Sequence, residues 1–222
     1  MKRVPEPELM DSAKQARAYA EADFSDANSL FTREFIGRFS DLGPRGRLAD
    51  LGCGPADICV RIAGELPGWT VTGIDAGPNM LKHARTAVSE AGLDQRITLK
   101  LSHLPDPDLG GQSFSAVISN SLLHHLPEPS VLWSSIRQVA APGAAIQVMD
   151  LARPESTRQA RDMVERHAAE APQVLKDDFY NSLLAAYTPE EVEQQLRETG
   201  LAGLDLSLPS DRHWMISGRL PA

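Results

Sequence analysis

The sequence has no long apolar run, and its N-terminal segment lacks the apolar stretch of a signal peptide. No stretch of about 18 consecutive apolar residues, the length that a membrane-spanning helix needs, occurs among its 222 residues. We therefore expect a cytoplasmic protein without a membrane partner.

Cysteine is scarce, and the two that occur, Cys53 and Cys59, lie close together in one segment. Their spacing matches neither a disulfide framework nor a zinc site, so we expect two packed free thiols. Histidine pairs at helical i, i+4 spacing are also absent. The sequence therefore predicts no metal site.

Basic residues are in the minority. The chain has 22 Lys and Arg against 30 Asp and Glu, which gives a formal net charge of −8. This balance works against binding to phosphate backbones or anionic lipid, so we expect no nucleic-acid partner. The length suits one domain, which we expect to be a monomer or a homodimer.

Short apolar runs alternate with helical patterns from Arg47 onward, which predicts parallel strands joined by crossover helices. The strands are predicted at 47–51, 70–75, 97–101, 114–120 and 144–150, and LDLSL and HWMISGRL form a closing antiparallel pair. The predicted fold class is α/β: a Rossmann-like, doubly wound, seven-stranded sheet with a final antiparallel strand.

We expect one single domain, 1–222. Helical patterns outside the sheet predict that helices form a cap over it. Cap helices are expected in 1–44, the sheet core in 45–150, a cap insertion in 151–187, and the last helix with the closing strands in 188–222.

Glycines and carboxylates mark the ends of the first two predicted strands. LADLGCGPAD places Asp50 before Gly52 and Gly54, and Asp75 closes the second strand, where a carboxylate can accept hydrogen bonds from both ribose hydroxyls. Asp50 and Asp57 would repel a diphosphate, which counts against a dinucleotide. A ribose-bearing ligand with a cationic end fits better. Glycines of this kind also occur wherever a strand turns sharply into a helix.

Four stretches together resemble the class I S-adenosylmethionine-dependent methyltransferases, of the small-molecule, type 11-like group: LADLGCGPAD, VTGIDAGPNML, FSAVISNSLLHHLPEP and APGAAIQVMDLARP. The resemblance spans roughly 45–150 and implies S-adenosylmethionine as the cofactor and S-adenosylhomocysteine as its product. The contacts it implies are Asp50, Gly52 and Gly54 at the methionine end, Asp75 at the ribose, Ala76 beside the adenine, and Asn120 near the methionine and the acceptor.

The adenine contact departs from the family pattern. Many relatives have an acidic residue just after the third strand, whereas this chain reads LKLSHLPDPD. Ser102, His103, Leu104 or a backbone group is therefore the predicted adenine contact.

Methyl transfer is an in-line displacement, so the enzyme aligns the acceptor and, for a hydroxyl or a protonated amine, removes a proton. His124 and His125 follow the fourth strand and are the predicted catalytic bases, since histidine titrates near neutral pH. The alternative is that both histidines only hold the loop.

The acceptor pocket is expected between the N-terminal helices and the insertion after the fifth strand. The predicted acceptor contacts are Tyr19, Phe24, Asn120, His124, Arg153, Tyr180 and Tyr187. The aromatic residues among them could instead be ordinary core.

The predicted function is methyl transfer from S-adenosylmethionine to an oxygen, nitrogen or sulfur atom of a small molecule. An RNA or protein methyltransferase and a non-catalytic S-adenosylmethionine-binding protein remain as alternatives. Two cysteines are too few for an arsenic methyltransferase.

Overall fold

A seven-stranded sheet with helices on both faces organises the chain. The computed structural model describes residues 1–6, 12–109, 111 and 113–221. Residues 7–11, which belong to the predicted N-terminal cap, lie outside this description.

The strands run in the order β3-β2-β1-β4-β5-β7-β6. Neighbouring strands are parallel from β3 to β5, and β7 is antiparallel to both β5 and β6. The bounds are β1 Gly46–Leu51, β2 Trp69–Asp75, β3 Ile97–Leu101, β4 Phe114–Asn120, β5 Ala140–Leu151, β6 Asp205–Ser207 and β7 His213–Arg219. The predicted Rossmann-like fold class is confirmed, including the antiparallel final strand.

Eight α-helices are described, and two short 3-10 helices cover Pro107–Leu109 and Leu123–His125. The α-helices are α1 Ala13–Glu21, α2 Ser25–Arg38, α3 Asp57–Glu65, α4 Pro78–Glu90, α5 Ser130–Val139, α6 Thr157–His167, α7 Gln173–Ala185 and α8 Pro189–Glu198. The helix α8 begins with the capping box between Thr188 and Glu191 that its sequence indicates.

Two apolar cores lie on opposite faces of the sheet. Helices α5 and α8 cover one face, where Trp133 and Trp214 are fully buried. Helices α2, α3 and α4 cover the other face. Both sides of the central strands are therefore dry, which explains why these strands read as nearly continuous apolar runs.

The predicted N-terminal cap contains two helices of different character. The helix α2 belongs to the sheet core, because Phe31 and Phe35 are fully buried against it and the Gln147 side chain on β5 donates a hydrogen bond to the Phe31 carbonyl at 2.8 Å. The helix α1 instead packs on α4 and α7, near the carboxyl ends of the strands.

Among the described residues, no helix combines the length and the apolar character that crossing a membrane requires. Cys53 and Cys59 are buried free thiols, as the sequence predicts.

Candidate active site

A large cavity of about 1240 Å³ opens at the carboxyl ends of β1, β2 and β4. Parallel α/β sheets bind ligands at this edge, where the strand order reverses between β1 and β4. Most of the residues predicted for the site line this one cavity: Tyr19, Phe24, Asp50, Gly52, Gly54, Asp75, Ala76, Ser102, His103, Leu104, Asn120, His124 and His125.

The loop after β1 approaches its neighbours closely through backbone atoms. Gly52 adopts a φ of +76°, and a Cβ there would lie 2.8 Å from the Leu122 side chain, so only glycine fits. The Asp75 carboxylate accepts hydrogen bonds from the Gly54 and Gly77 amides, each at 2.8 Å. Asp75 therefore joins the first two strand ends and fixes the floor of the cavity.

Asp50 is a buried carboxylate beside this loop, and only 2% of its surface is exposed. Burial and, to a smaller extent, the Asp75 charge raise its pKa to about 7, although a hydrogen bond from the Cys59 thiol at 3.1 Å works in the opposite direction. A carboxylate in this state gains from a nearby positive charge. The methionine end of S-adenosylmethionine carries an ammonium and a sulfonium, so the chemistry of this group fits.

Asn120, at the end of β4, provides an independent observation. Its side-chain Oδ1 is buried, lines the cavity, and has no hydrogen-bond partner among the residues that the structure describes. A buried polar atom without a partner is costly, and a ligand that donates a hydrogen bond would satisfy it. The fit of a ligand ammonium to this end of the cavity therefore rests on Asn120 as well as on Asp50.

The position of the third glycine in a dinucleotide motif is occupied here by Asp57. Arg61 donates to its carboxylate at 2.6 Å, and the Asn28 side chain donates at 2.7 Å. These bonds tie α2 to α3 and leave Asp57 without a phosphate-binding role.

The wall opposite the sheet comes from α1, the start of α2 and the α6–α7 segment. The Tyr19 and Phe24 rings pack with centroids 4.5 Å apart. Burial, together with the nearby charges of Asp150 and Asp75, raises the pKa of Tyr19 to about 12, so its hydroxyl stays protonated. Gln15 on α1 donates a hydrogen bond to Asp178 on α7 at 3.3 Å, which joins the two sides of this wall.

His124 is held by Asp150, the last acidic residue of β5. The His124 Nδ1 lies 2.5 Å from Asp150 Oδ1, and the His124 amide donates to Oδ2 at 3.1 Å. Burial disfavours a charged His124, but the Asp150 carboxylate outweighs this and raises the pKa of the ring. Burial alone would raise the pKa of Asp150. The charge on His124 and the hydrogen bonds to the carboxylate together outweigh burial and hold the pKa of Asp150 below its ordinary value.

The other ring nitrogen of His124 faces Glu6. His124 Nε2 lies 3.3 Å and His125 Nδ1 lies 3.2 Å from Glu6 Oε1. The Ser182 hydroxyl donates to the same oxygen at 3.1 Å. Glu6 therefore connects the N-terminal segment to both histidines and to α7.

Three predicted acceptor contacts lie away from the cavity wall. Arg153 donates to the Ala186 carbonyl at 3.1 Å and pairs with Glu191 at 2.5 Å, so it fastens the segment between α7 and α8. Tyr187 lies beyond the end of α7 under the Arg3 guanidinium, 4.2 Å from the ring centroid. Tyr180 packs in a small separate cluster between α6 and α7.

Sequence reasoning missed Asp150, Glu6 and Ser182. Asp150 carries the same signal that identifies Asp50 and Asp75, a carboxylate at the end of a buried strand, and that signal could have found it. Glu6 and Ser182 have no comparable signal, because their role depends on how the first six residues cross α7.

Comparison with known proteins agrees with this geometry. Residues 49–146 match a family model described as a methyltransferase domain. The matched segment, which includes Asp50, Asp75 and Asn120, is therefore similar to a methyltransferase domain. The trans-aconitate 2-methyltransferase of Methylobacterium nodulans is 28% identical over 151 residues, which cover 67% of this chain and 54% of that protein. The chain spans about half the length of the curated relatives it matches.

Solved structures share the fold of this chain. A crystal structure of an S-adenosylmethionine-dependent methyltransferase from Aquifex aeolicus aligns with a TM-score of 0.67 at 17% identity, covering 94% of this chain and 98% of that one. The plantazolicin methyltransferase BpumL, solved in complex with S-adenosylhomocysteine, aligns with a TM-score of 0.68 at 15% identity, covering 93% and 90%.

Proposed function

We propose that the protein transfers the methyl group of S-adenosylmethionine to a small-molecule acceptor. The observation that carries this proposal is the joining of two differently built halves in one cavity of about 1240 Å³. One half has the carboxylates and glycines of a cofactor site, and the other is roofed by α1, α2 and the α6–α7 segment. Such a cavity can hold a donor and an acceptor side by side.

In this proposal each group of the cofactor half has a role. Asp50 and the Asn120 Oδ1 face the methionine ammonium, and Asp75 accepts from the ribose hydroxyls. Ala76, Ser102, His103 and Leu104, which line the same cavity, would contact the adenine. When bound, the cofactor supplies an electrophilic methyl group on a sulfonium, and a neutral thioether leaves.

The acceptor half favours a small molecule, because its roof is formed by this chain's own helices and leaves a bounded space. Tyr19 and Phe24 contribute an aromatic surface, and the Tyr19 hydroxyl acts there as a hydrogen-bond donor. The relatives named trans-aconitate 2-methyltransferase suggest small organic acids as the first acceptors to examine.

Proton removal from the acceptor is assigned to His124, with the His125 ring packed against it in a tilted arrangement at a centroid distance of 4.1 Å. If Nδ1 donates its N–H to Asp150, the neutral form of His124 carries its lone pair on Nε2. This is the arrangement in which a carboxylate fixes the tautomer and orientation of a histidine base. An acceptor hydroxyl reaching Nε2 would lie beside Glu6.

The test is an assay of S-adenosylhomocysteine formation with a panel of small acids, phenols, amines and thiols, with mass spectrometry of the product. We expect one acceptor class to gain a methyl group and Asp75→Ala to lose most of the turnover. Turnover confined to RNA or protein would contradict the small-molecule proposal.

The proposal further includes a cytoplasmic location, no nucleic-acid or membrane partner, and a monomer or homodimer.

A further inference from the structure

Three metal-binding atoms converge where the first six residues meet the 3-10 helix Leu123–His125. They are the Glu6 carboxylate oxygen, His124 Nε2 and His125 Nδ1, and all lie within 4.8 Å of one another. We propose that Glu6, His124 and His125 form a binding site for a divalent transition-metal ion of the zinc type.

Two of the three distances between the ligand atoms fit a tetrahedral ion. Ligands bound at about 2.0–2.1 Å from tetrahedral zinc lie about 3.3 Å from one another. Glu6 Oε1 lies 3.3 Å from His124 Nε2 and 3.2 Å from His125 Nδ1. Two edges of the tetrahedron therefore already have the required length, and the ligand set of two imidazoles and one carboxylate is one that zinc uses in enzymes.

The groups behind the ligands match a metal site as well. Histidines that bind metals usually donate their other ring N–H to a carboxylate, and His124 does so to Asp150 at 2.5 Å. Asp150 is itself fixed by the amides of His124 and Leu151, at 3.1 and 2.7 Å. The Ser182 hydroxyl donates to the Glu6 carboxylate at 3.1 Å and orients it.

The charges around the three ligands and their access to the cavity also suit a divalent ion. Glu6 and Asp150 supply two negative charges, which balance a divalent ion in a place where both side chains are mostly buried. His124, His125 and Ser182 line the large cavity, so an ion can enter from there and a fourth position is available to water or to an acceptor atom.

The site goes beyond the proposed methyl transfer. An ion at His124 Nε2 takes the lone pair that proton removal by this histidine would use, so the two compete. Ion binding needs neither cofactor nor acceptor, and its outcome is therefore separable from that of the methyl-transfer assay.

The test uses the tag-free chain of residues 1–222, treated with a chelator, dialysed, and titrated with zinc chloride by calorimetry. We expect one equivalent to bind, and Glu6→Gln and His125→Ala each to weaken binding at least tenfold. Asp150→Asn should weaken it by about 10–100-fold, the range for groups behind metal ligands. His83→Ala and Glu90→Gln, on α4 outside the cavity, are the matched controls and should bind as the wild type does.

Thermal unfolding provides a second reading that shows whether each variant is folded. Zinc should raise the unfolding midpoint of the wild type and of both controls, and should raise that of folded Glu6→Gln less at the same zinc concentration. Wild-type affinity in Glu6→Gln and His125→Ala would overturn the proposal and indicate adventitious binding at surface histidines. The absence of one-equivalent binding in the wild type would overturn it as well.

Discussion

Asp150 and His124 face each other across the edge between β4 and β5, with Asp150 Oδ1 2.5 Å from His124 Nδ1. Both side chains are nearly inaccessible to solvent, at 1% and 3% exposed. The pair turns the second nitrogen of a buried histidine toward Glu6 and the acceptor side, which gives the site a candidate base that is fixed before any substrate binds.

Removing this base should slow turnover without affecting the cofactor. We expect His124→Ala to lose about 10²–10⁴-fold in kcat, the usual contribution of general base catalysis, while S-adenosylhomocysteine binds with unchanged affinity. The control is His83→Ala on α4, outside the cavity. If both His124→Ala and His125→Ala turn over at the wild-type rate, the enzyme relies on alignment alone.

Cofactor binding should depend on pH through Asp50. Its pKa of about 7 in the free protein means that the carboxyl group is largely protonated below that pH. Because a cationic ligand prefers the ionised form, affinity should fall as pH is lowered from about 8 to 5.5, by at most tenfold per pH unit. Calorimetry in buffers of different ionisation enthalpy should show that cofactor binding at pH 6 releases a proton from Asp50. The dependence should disappear in Asp50→Asn.

The same residue should limit the stability of the free protein. Its folded pKa lies above the ordinary value near 4, so its contribution to stability is fully present below about pH 4 and is lost as the pH rises through about 7. A shift of about three pKa units changes the free energy of unfolding by about 4 kcal/mol at most.

Asp50→Asn should therefore raise the unfolding midpoint at pH 8, by about 2–4 °C for each kcal/mol, and much less at pH 5. The exposed Asp94→Asn is the control. A lower midpoint for Asp50→Asn at pH 8 would contradict the account of Asp50 as a destabilised carboxylate.

The roof should respond to the acceptor. We expect hydrogen exchange in α1 (Ala13–Glu21) and α7 (Gln173–Ala185) to slow when S-adenosylhomocysteine and an acceptor analogue bind together, with little change in β1 and β4. Deleting residues 1–24 should abolish turnover and keep the sheet folded, because α2 remains. Full activity of the truncated protein would show that α1 serves only in packing and is not needed for turnover.

The sheet was predictable because each of its parallel strands leaves a local pattern in the sequence. The strands of the parallel core are buried on both faces, so each one appears in the sequence as a short apolar run, and the predicted bounds at 97–101 and 114–120 match β3 and β4. The carboxylates Asp50 and Asp75 were predictable for a related reason, since strand ends at one edge of a parallel sheet converge.

The acceptor side was less predictable because it depends on how distant segments pack. Tyr187 follows Phe179 and Leu183 at helical spacing, but α7 ends at Ala185, and Tyr187 instead forms a bridge with Ala152 and lies beneath Arg3. Asp150 reaches His124 only because β5 lies beside β4. No periodicity indicates where Glu6 lies.

The central claim is that the cavity floor binds S-adenosylmethionine through Asp75. The most direct measurement is a calorimetric titration of S-adenosylhomocysteine into the wild type and Asp75→Ala, with Asp94→Ala as the matched control and circular dichroism to show that all three are folded. The account predicts one site per chain in the wild type and in the control, with NAD and NADP not binding. In Asp75→Ala it predicts a loss of about 1.5–3 kcal/mol, the range for hydrogen bonds to a charged group. Unchanged affinity in folded Asp75→Ala, or no binding by the wild type, would contradict it.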